Sequence, residues 1–145
     1  MLKGIPNMIT PELLKVLAEM GHGDTIVLSD GNFPAESMGK ESIVIRCDGH
    51  GVPELLDAIL TLFPMDKYVD HPAALMEVVP GDTVETPIWD TYYSILGKYD
   101  DRGAAAFTNI ERFAFYEESK KAYAIIATSE KALYASVILK KGVIA

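Results

Sequence analysis

Residues 10–29 read TPELLKVLAEMGHGDTIVLS, and they lay out a helix, a turn and a buried strand in one short run. Thr10 can cap with its side chain, Pro11 sits at the first helical position where no amide donor is needed, and Glu12 lies in the favourable first turn of the helix dipole. Leu13, Leu14, Leu17 and Met20 fall on one face, and Gly21 supplies the stop. The strand over 25–29 ends at the turn residues Asp30, Gly31 and Asn32, with Pro34 just beyond.

The same grammar continues outward. It predicts strands over 42–46, 74–79, 123–128 and 136–139, and helices over 53–63, from Thr86-Pro87 toward Lys98, and over 110–119 behind an Asn109 cap. Residues 100–103 read as a polar loop. Helices and strands alternate throughout, which predicts an α/β fold: one layered domain over 1–145 with a largely parallel central sheet flanked by helices. Pro-Glu-Leu-Leu occurs at 11–14 and 53–56, and Gly-His-Gly at 21–23 and 49–51. His22 follows its helix whereas His50 precedes the next, so these are shared turn and helix-start signals, not a duplication.

Composition narrows the function classes. Among 145 residues, 49% are apolar and 23% charged, and 13 basic against 21 acidic side chains leave a formal charge of −8. A compact chain of this size buries roughly 70% of its unfolded surface, enough for a core without staples. Cys47 is the only cysteine, so an internal disulfide or a cysteine-based zinc cluster is excluded and a reducing compartment is expected. The acidic balance argues against nucleic-acid binding, since Lys120-Lys121 and Lys140-Lys141 are too small to neutralise a phosphate backbone. Neither a membrane span nor the apolar core of a secretion signal is visible, which gives a cytoplasmic expectation.

Chemistry centres on the histidines at 22, 50 and 71, whose unperturbed pKa lies near neutrality. His22 stands between glycines with Asp24 after it and Asp30 beyond a short strand; folded toward one cleft, they would make an acid/base pair. His50, in Asp48-Gly49-His50-Gly51, sits between a strand end and a helix start, where open α/β sheets bind ligands. Each also reads as an ordinary loop residue, and spacing alone does not choose between them. There is no dinucleotide turn, Walker loop, nucleophile elbow or metal-specific spacing, and Cys47 reads as a buried small hydrophobe. Arg112, Tyr116, Tyr123 and Tyr134 suit sugars, which need directed donors for hydroxyls and apolar rings for C–H faces. They equally suit half-buried packing and a surface ion pair.

Several longer runs carry a resemblance. They are Leu2-Lys3-Gly4-Ile5, the segment from Ile9 to Asp24, Ser29-Asp30 followed by Phe33-Pro34-Ala35, Ser37-Met38-Gly39, Arg112-Phe113-Ala114-Phe115-Tyr116-Glu117, and Leu139-Lys140-Lys141-Gly142-Val143. Together they resemble the fucose mutarotases, relatives of the ribose pyranases, from end to end. The resemblance implies a cofactor-free, metal-free isomerase that interconverts sugar anomers, with L-fucose as partner and symmetric homo-oligomers up to decamers that place sites near subunit contacts. It implies His22 as the catalytic residue, with Asp30, Arg112 and the tripeptide Tyr134-Ala135-Ser136 binding substrate. Arginine in the Arg-Phe-Ala-Phe-Tyr context looks like the fucose branch, whereas the ribose branch tends to carry histidine there.

The chain departs from this pattern at two places. Many relatives read Asp-Ala-His-Phe-Pro where this chain has Asp30-Gly31-Asn32-Phe33-Pro34, so any role of that second histidine is lost or passes to Asn32. The tripeptide is commonly Tyr-Gly-Asn, and Ser136 is a shorter polar substitute. Phe33, Trp89, Tyr92 and Tyr116 are candidates for an apolar wall against the sugar's C6 methyl. The alternatives are activity on D-ribose or another monosaccharide, and a non-catalytic sugar-binding or regulatory module on the same fold.

Overall fold

Strands alternating with helices must pair, and the order of pairing decides which loops become neighbours. The computed structural model describes residues 1–145 and joins six strands into one sheet. The strands are β1 Thr25–Ser29, β2 Ile43–Cys47, β3 Ala73–Met76, β4 Phe107–Ile110, β5 Ala124–Thr128 and β6 Val137–Lys140. The helices are α1 Pro11–Glu19, α2 Ala35–Met38, α3 Val52–Leu60, α4 Pro87–Gly97 and α5 Arg112–Lys120, with a 3-10 turn at Gly103–Ala106.

The sheet order is β2-β5-β1-β6-β3-β4. β2/β5, β5/β1 and β3/β4 are parallel, whereas β6 is antiparallel to both β1 and β3. Five strands therefore run one way and β6 the other, so the sheet is mixed and mostly parallel. The loops leaving β1 to β5 and the loop entering β6 consequently share one edge of the sheet. Loops entering β1, β3 and β4 and the chain leaving β6 share the other.

Both faces are covered, as continuous apolar strands require. Ile26, Leu28, Ile126, Val137 and Leu139 pack into the larger core with Leu13, Val16 and Leu17 of α1, the inner residues of α3, and Tyr92 and Leu96 of α4. Their alternates Val27, Ile125 and Ile138 pack with Phe115 of α5 and Ala35 of α2. The opening signals hold in detail: Thr10 Oγ1 accepts the Leu13 amide at 3.1 Å.

Elsewhere the structure corrects the reading. Asn109 lies inside β4, paired opposite Leu75, and does not cap a helix. Glu111 is the cap, accepting the Ala114 amide at 3.0 Å, and α5 begins at Arg112. Thr86 makes no side-chain capping bond, and β3 stops at Met76 instead of reaching Val79. The supposed polar loop holds a buried Asp100, forked onto Arg102 at 2.9 and 2.7 Å. No helix is long and apolar enough to cross a membrane.

Candidate active site

The shared edge gathers residues from four different connections. A cavity of about 270 Å³ opens there, bounded by Asp30 and Phe33 after β1, Asp82 after β3, Arg112 after β4, and Tyr134 and Ser136 before β6. That volume is near the lower end of small-ligand pockets. Its place outside the carboxyl ends of the parallel strands is where open α/β sheets bind ligands.

Asp30 is locked at both ends. Ser136 Oγ accepts the Asp30 amide at 3.0 Å and donates to Asp30 Oδ2 at 3.0 Å. The same Oδ2 accepts the Ala135 amide at 3.3 Å, and Oδ1 accepts the Asn32 amide at 3.0 Å. Serine thus ties the tripeptide to the carboxylate despite its short reach. Oδ1, which accepts a single bond, keeps acceptor capacity for a ligand hydroxyl. Arg112, the first residue of α5, forms no ion pair within the chain. Its guanidinium lies 4.6 Å from the Phe113 ring centre, so its donors stay uncommitted.

Tyr134 is the one non-glycine residue with positive φ, at 55°. A side chain in this left-handed region costs on the order of 1–2 kcal/mol and persists only where neighbours over-determine it. Here they do. Trp89 Nε1 donates to the Tyr134 carbonyl at 2.8 Å and Tyr92 Oη to the Ala135 carbonyl at 2.7 Å. The Tyr134 hydroxyl donates to Asp82 Oδ2 at 2.7 Å and accepts the Val79 amide at 3.3 Å. Asp82 pushes the phenol above its ordinary pKa, so it stays protonated. Trp89 and Tyr92 therefore brace the loop from behind and do not wall the cavity. Phe33 and Tyr116 do line it, their rings 5.8 Å apart, with Met76, Val79 and Leu133 completing an apolar side.

His22 is not in this cavity. It precedes β1 and Asp30 follows it, so the strand's five residues, at about 3.3 Å each, hold them roughly 16 Å or more apart on opposite edges. The expected pairing with Asp24 and Asp30 in one cleft does not form within the chain. Asp24 Oδ2 instead accepts the Gly21 amide at 2.7 Å. His22 Nε2 meets Asp66 Oδ1 at 3.0 Å and its ring tilts against Tyr68 at 5.3 Å between centres. A second cavity lies beside it, lined by α1 and by Lys141, Gly142, Val143 and Ile144 of the chain's end.

The remaining candidates fall elsewhere. His50 Nδ1 pairs with Glu54 at 3.2 Å, and His71 Nδ1 faces the Ala105 carbonyl at 3.1 Å. Tyr123 donates to Glu19, and burial pushes the Cys47 thiol up. No group of three or more His, Cys, Asp or Glu side chains is gathered to hold a metal ion. Sequence reasoning missed Asp66, Tyr68 and Asp82. Only Asp82, in the turn signal Pro80-Gly81-Asp82, had a local mark.

The model of the RbsD / FucU transport protein family matches residues 3–144. A fucose mutarotase of Homo sapiens is 53% identical over 148 residues, spanning 99% of this chain and 95% of its own length. The crystal structure of FucU from Bifidobacterium longum superposes with a TM-score of 0.98 at 64% identity, covering 99% of this chain and all of that one. A fucose mutarotase from Streptococcus pneumoniae, crystallised in complex with L-fucose, gives a TM-score of 0.91 at 51% identity, covering 99% of this chain and 100% of that one.

Proposed function

The chain belongs to the RbsD / FucU transport protein family, and from that premise we propose that it is a cofactor-free mutarotase, one domain over 1–145, that interconverts the α and β anomers of L-fucose. The observation that carries the reading is the strand-end cavity, which joins a locked carboxylate, an unpaired guanidinium and an apolar wall at monosaccharide scale. Relatives of about half-identical sequence named fucose mutarotase, one of them crystallised with the sugar, support the substrate.

The chemistry asks little of the protein. A proton must reach the ring oxygen while the anomeric hydroxyl gives one up; the ring C–O bond breaks, the free aldehyde rotates, and the hydroxyl recloses on its other face. General acid-base help of roughly 10²- to 10⁴-fold is enough for so facile a reaction. In this reading Asp30 and Arg112 hold hydroxyls, Tyr134, Ala135 and Ser136 frame the anomeric end, and Phe33, Tyr116 and Leu133 accept the C6 methyl. His22 supplies and retakes the ring-oxygen proton.

Because His22 and Asp30 of one chain lie on opposite sheet edges, the His22 that serves a given cavity must come from a neighbouring copy. That requires a homo-oligomer, and a head-to-tail contact repeated by rotation closes into a ring, a decamer in our reading. We place the enzyme in the cytoplasm, where its single buried cysteine stays reduced.

Magnetisation-exchange NMR between the α and β signals of L-fucose tests activity and substrate together. Exchange should accelerate with the protein and return to the uncatalysed rate with His22→Ala. Full acceleration by that variant would remove His22 from the mechanism, and faster exchange on D-ribose would reassign the substrate.

A further inference from the structure

Asp66 is buried, its side chain only 3% exposed, and its charge partner His22 is 44% exposed. Removing a carboxylate from water costs several kcal/mol unless charges and donors replace the lost hydration. The compensation here is modest in number. Asp66 Oδ1 accepts the Tyr68 amide at 3.0 Å and meets His22 Nε2 at 3.0 Å. A buried charge has thus been aimed at the half-exposed imidazole that the proposed reaction uses.

The backbone that carries the carboxylate is fastened at both its amide and its carbonyl. Its own amide donates to the Lys140 carbonyl at 3.1 Å, while the Gly23 amide donates to the Lys141 carbonyl at 2.8 Å. Lys140 and Lys141, at the exit of β6, thereby fasten Asp66 and the residue that follows His22. Arg102 then clamps the loop that carries Asp66. Its Nη2 donates to the Asp66 carbonyl at 2.9 Å and its Nη1 to the Val69 carbonyl at 3.0 Å, with the guanidinium itself forked on Asp100. Little freedom remains for the oxygen that meets the imidazole.

The geometry has one chemical consequence. An ionised carboxylate only accepts, so a neutral imidazole facing it must carry its hydrogen on Nε2. The lone pair then sits on Nδ1, which has no partner within the chain. We propose that Asp66 is a positioning residue that holds His22 as the Nε2–H tautomer, so that Nδ1 is the atom exchanging a proton with the sugar. This rests on the reading of His22 as the proton carrier. The step balances with one water: Nδ1–H⁺ gives its proton to the ring oxygen as the ring C–O bond breaks, the anomeric hydroxyl passes its proton to water as the aldehyde forms, and both protons return on closure, while the Nε2–H···Asp66 bond is kept.

Two variants separate charge from orientation. Asp66→Asn keeps an oxygen for both the Tyr68 amide and Nε2–H but loses the negative charge; Asp66→Ala loses both. At saturating L-fucose, kcat for anomer exchange should fall by about 10-fold in the first and about 100-fold in the second, within the range of acid-base assistance, with KM little changed. Long-range ¹H–¹⁵N correlation of histidine-labelled wild-type protein, assigned with His22→Gln, should show neutral His22 protonated at Nε2. A neutral Nδ1–H tautomer overturns the proposal even if Asp66→Ala fails to fold. Both Asp66 variants turning over at the wild-type rate while His22→Ala is dead overturns it too and leaves the function standing. A fully active His22→Ala removes the reading beneath it and the role of Asp66 together.

Discussion

Asp100 and Asp66 both ionise more readily than an ordinary aspartate. Beside Asp100, the Arg102 fork lowers the pKa against the opposing effect of burial. Burial, the largest single influence on Asp66, pushes its pKa up, but the Tyr68 amide, His22 and the charge of Lys140 together reverse it. A carboxylate depressed in the folded state stabilises the fold above its unfolded pKa of about 4 and loses that contribution as pH falls through the folded value. Stability should therefore be level from neutrality down to about pH 5 and decline below about pH 4. Asp100→Asn should cost about 2 kcal/mol at neutral pH and flatten the acid decline, as urea titrations across pH would register. Specificity also belongs to single residues. Phe33 lies on the apolar wall, and trimming it to alanine should lower the preference for L-fucose over its 6-hydroxy analogue by about 10-fold in kcat/KM, the scale of one buried methyl contact.

Among elements, the chain leaving β6 carries more than its length suggests. Gly142 donates its amide to the Pro64 carbonyl at 2.7 Å, and a Cβ placed on it would come within 2.8 Å of the Asp66 Cα and closer still to the Met65 carbonyl. These are backbone atoms that cannot swing aside. Gly142→Ala should cost about 1–3 kcal/mol in chemical denaturation and displace Asp66 from His22, lowering anomer exchange as well. The sequence displayed α1 and β1 openly because cap, proline and apolar spacing all agreed there. It hid β4, whose four residues pair at a sheet edge with β3 and contain an asparagine that imitates a cap. Residue chemistry marks Arg112 and Tyr134 no more strongly than Tyr123, which donates to Glu19, and marks Asp30 only as a partner for His22; resemblance alone groups them with Ala135 and Ser136. Asp66 left no local trace, because its partner stands 44 positions away and the two meet only through the exit of β6.

For the whole molecule, topology decides what one chain can do. Reversing β6 brings the tripeptide beside Asp30 at one edge and sends the chain's end beside His22 at the other. The sequence placed His22 and Asp30 at the two ends of one short strand, and a straight strand separates its ends. Apolar surface accompanies the separation: Val143 and Ile144 are exposed beside the His22 cavity, as is Leu133 at the strand-end cavity. Whether each sugar is served by two copies is tested most directly by complementation between inactive variants. His22→Ala and Arg112→Ala, co-expressed in equal amounts, should each be inactive alone yet together recover about a quarter of wild-type anomer exchange, the fraction of contacts in a randomly mixed ring that draw His22 from one variant and Arg112 from the other. Mixed oligomers as inactive as their parents would contradict a site shared by two copies.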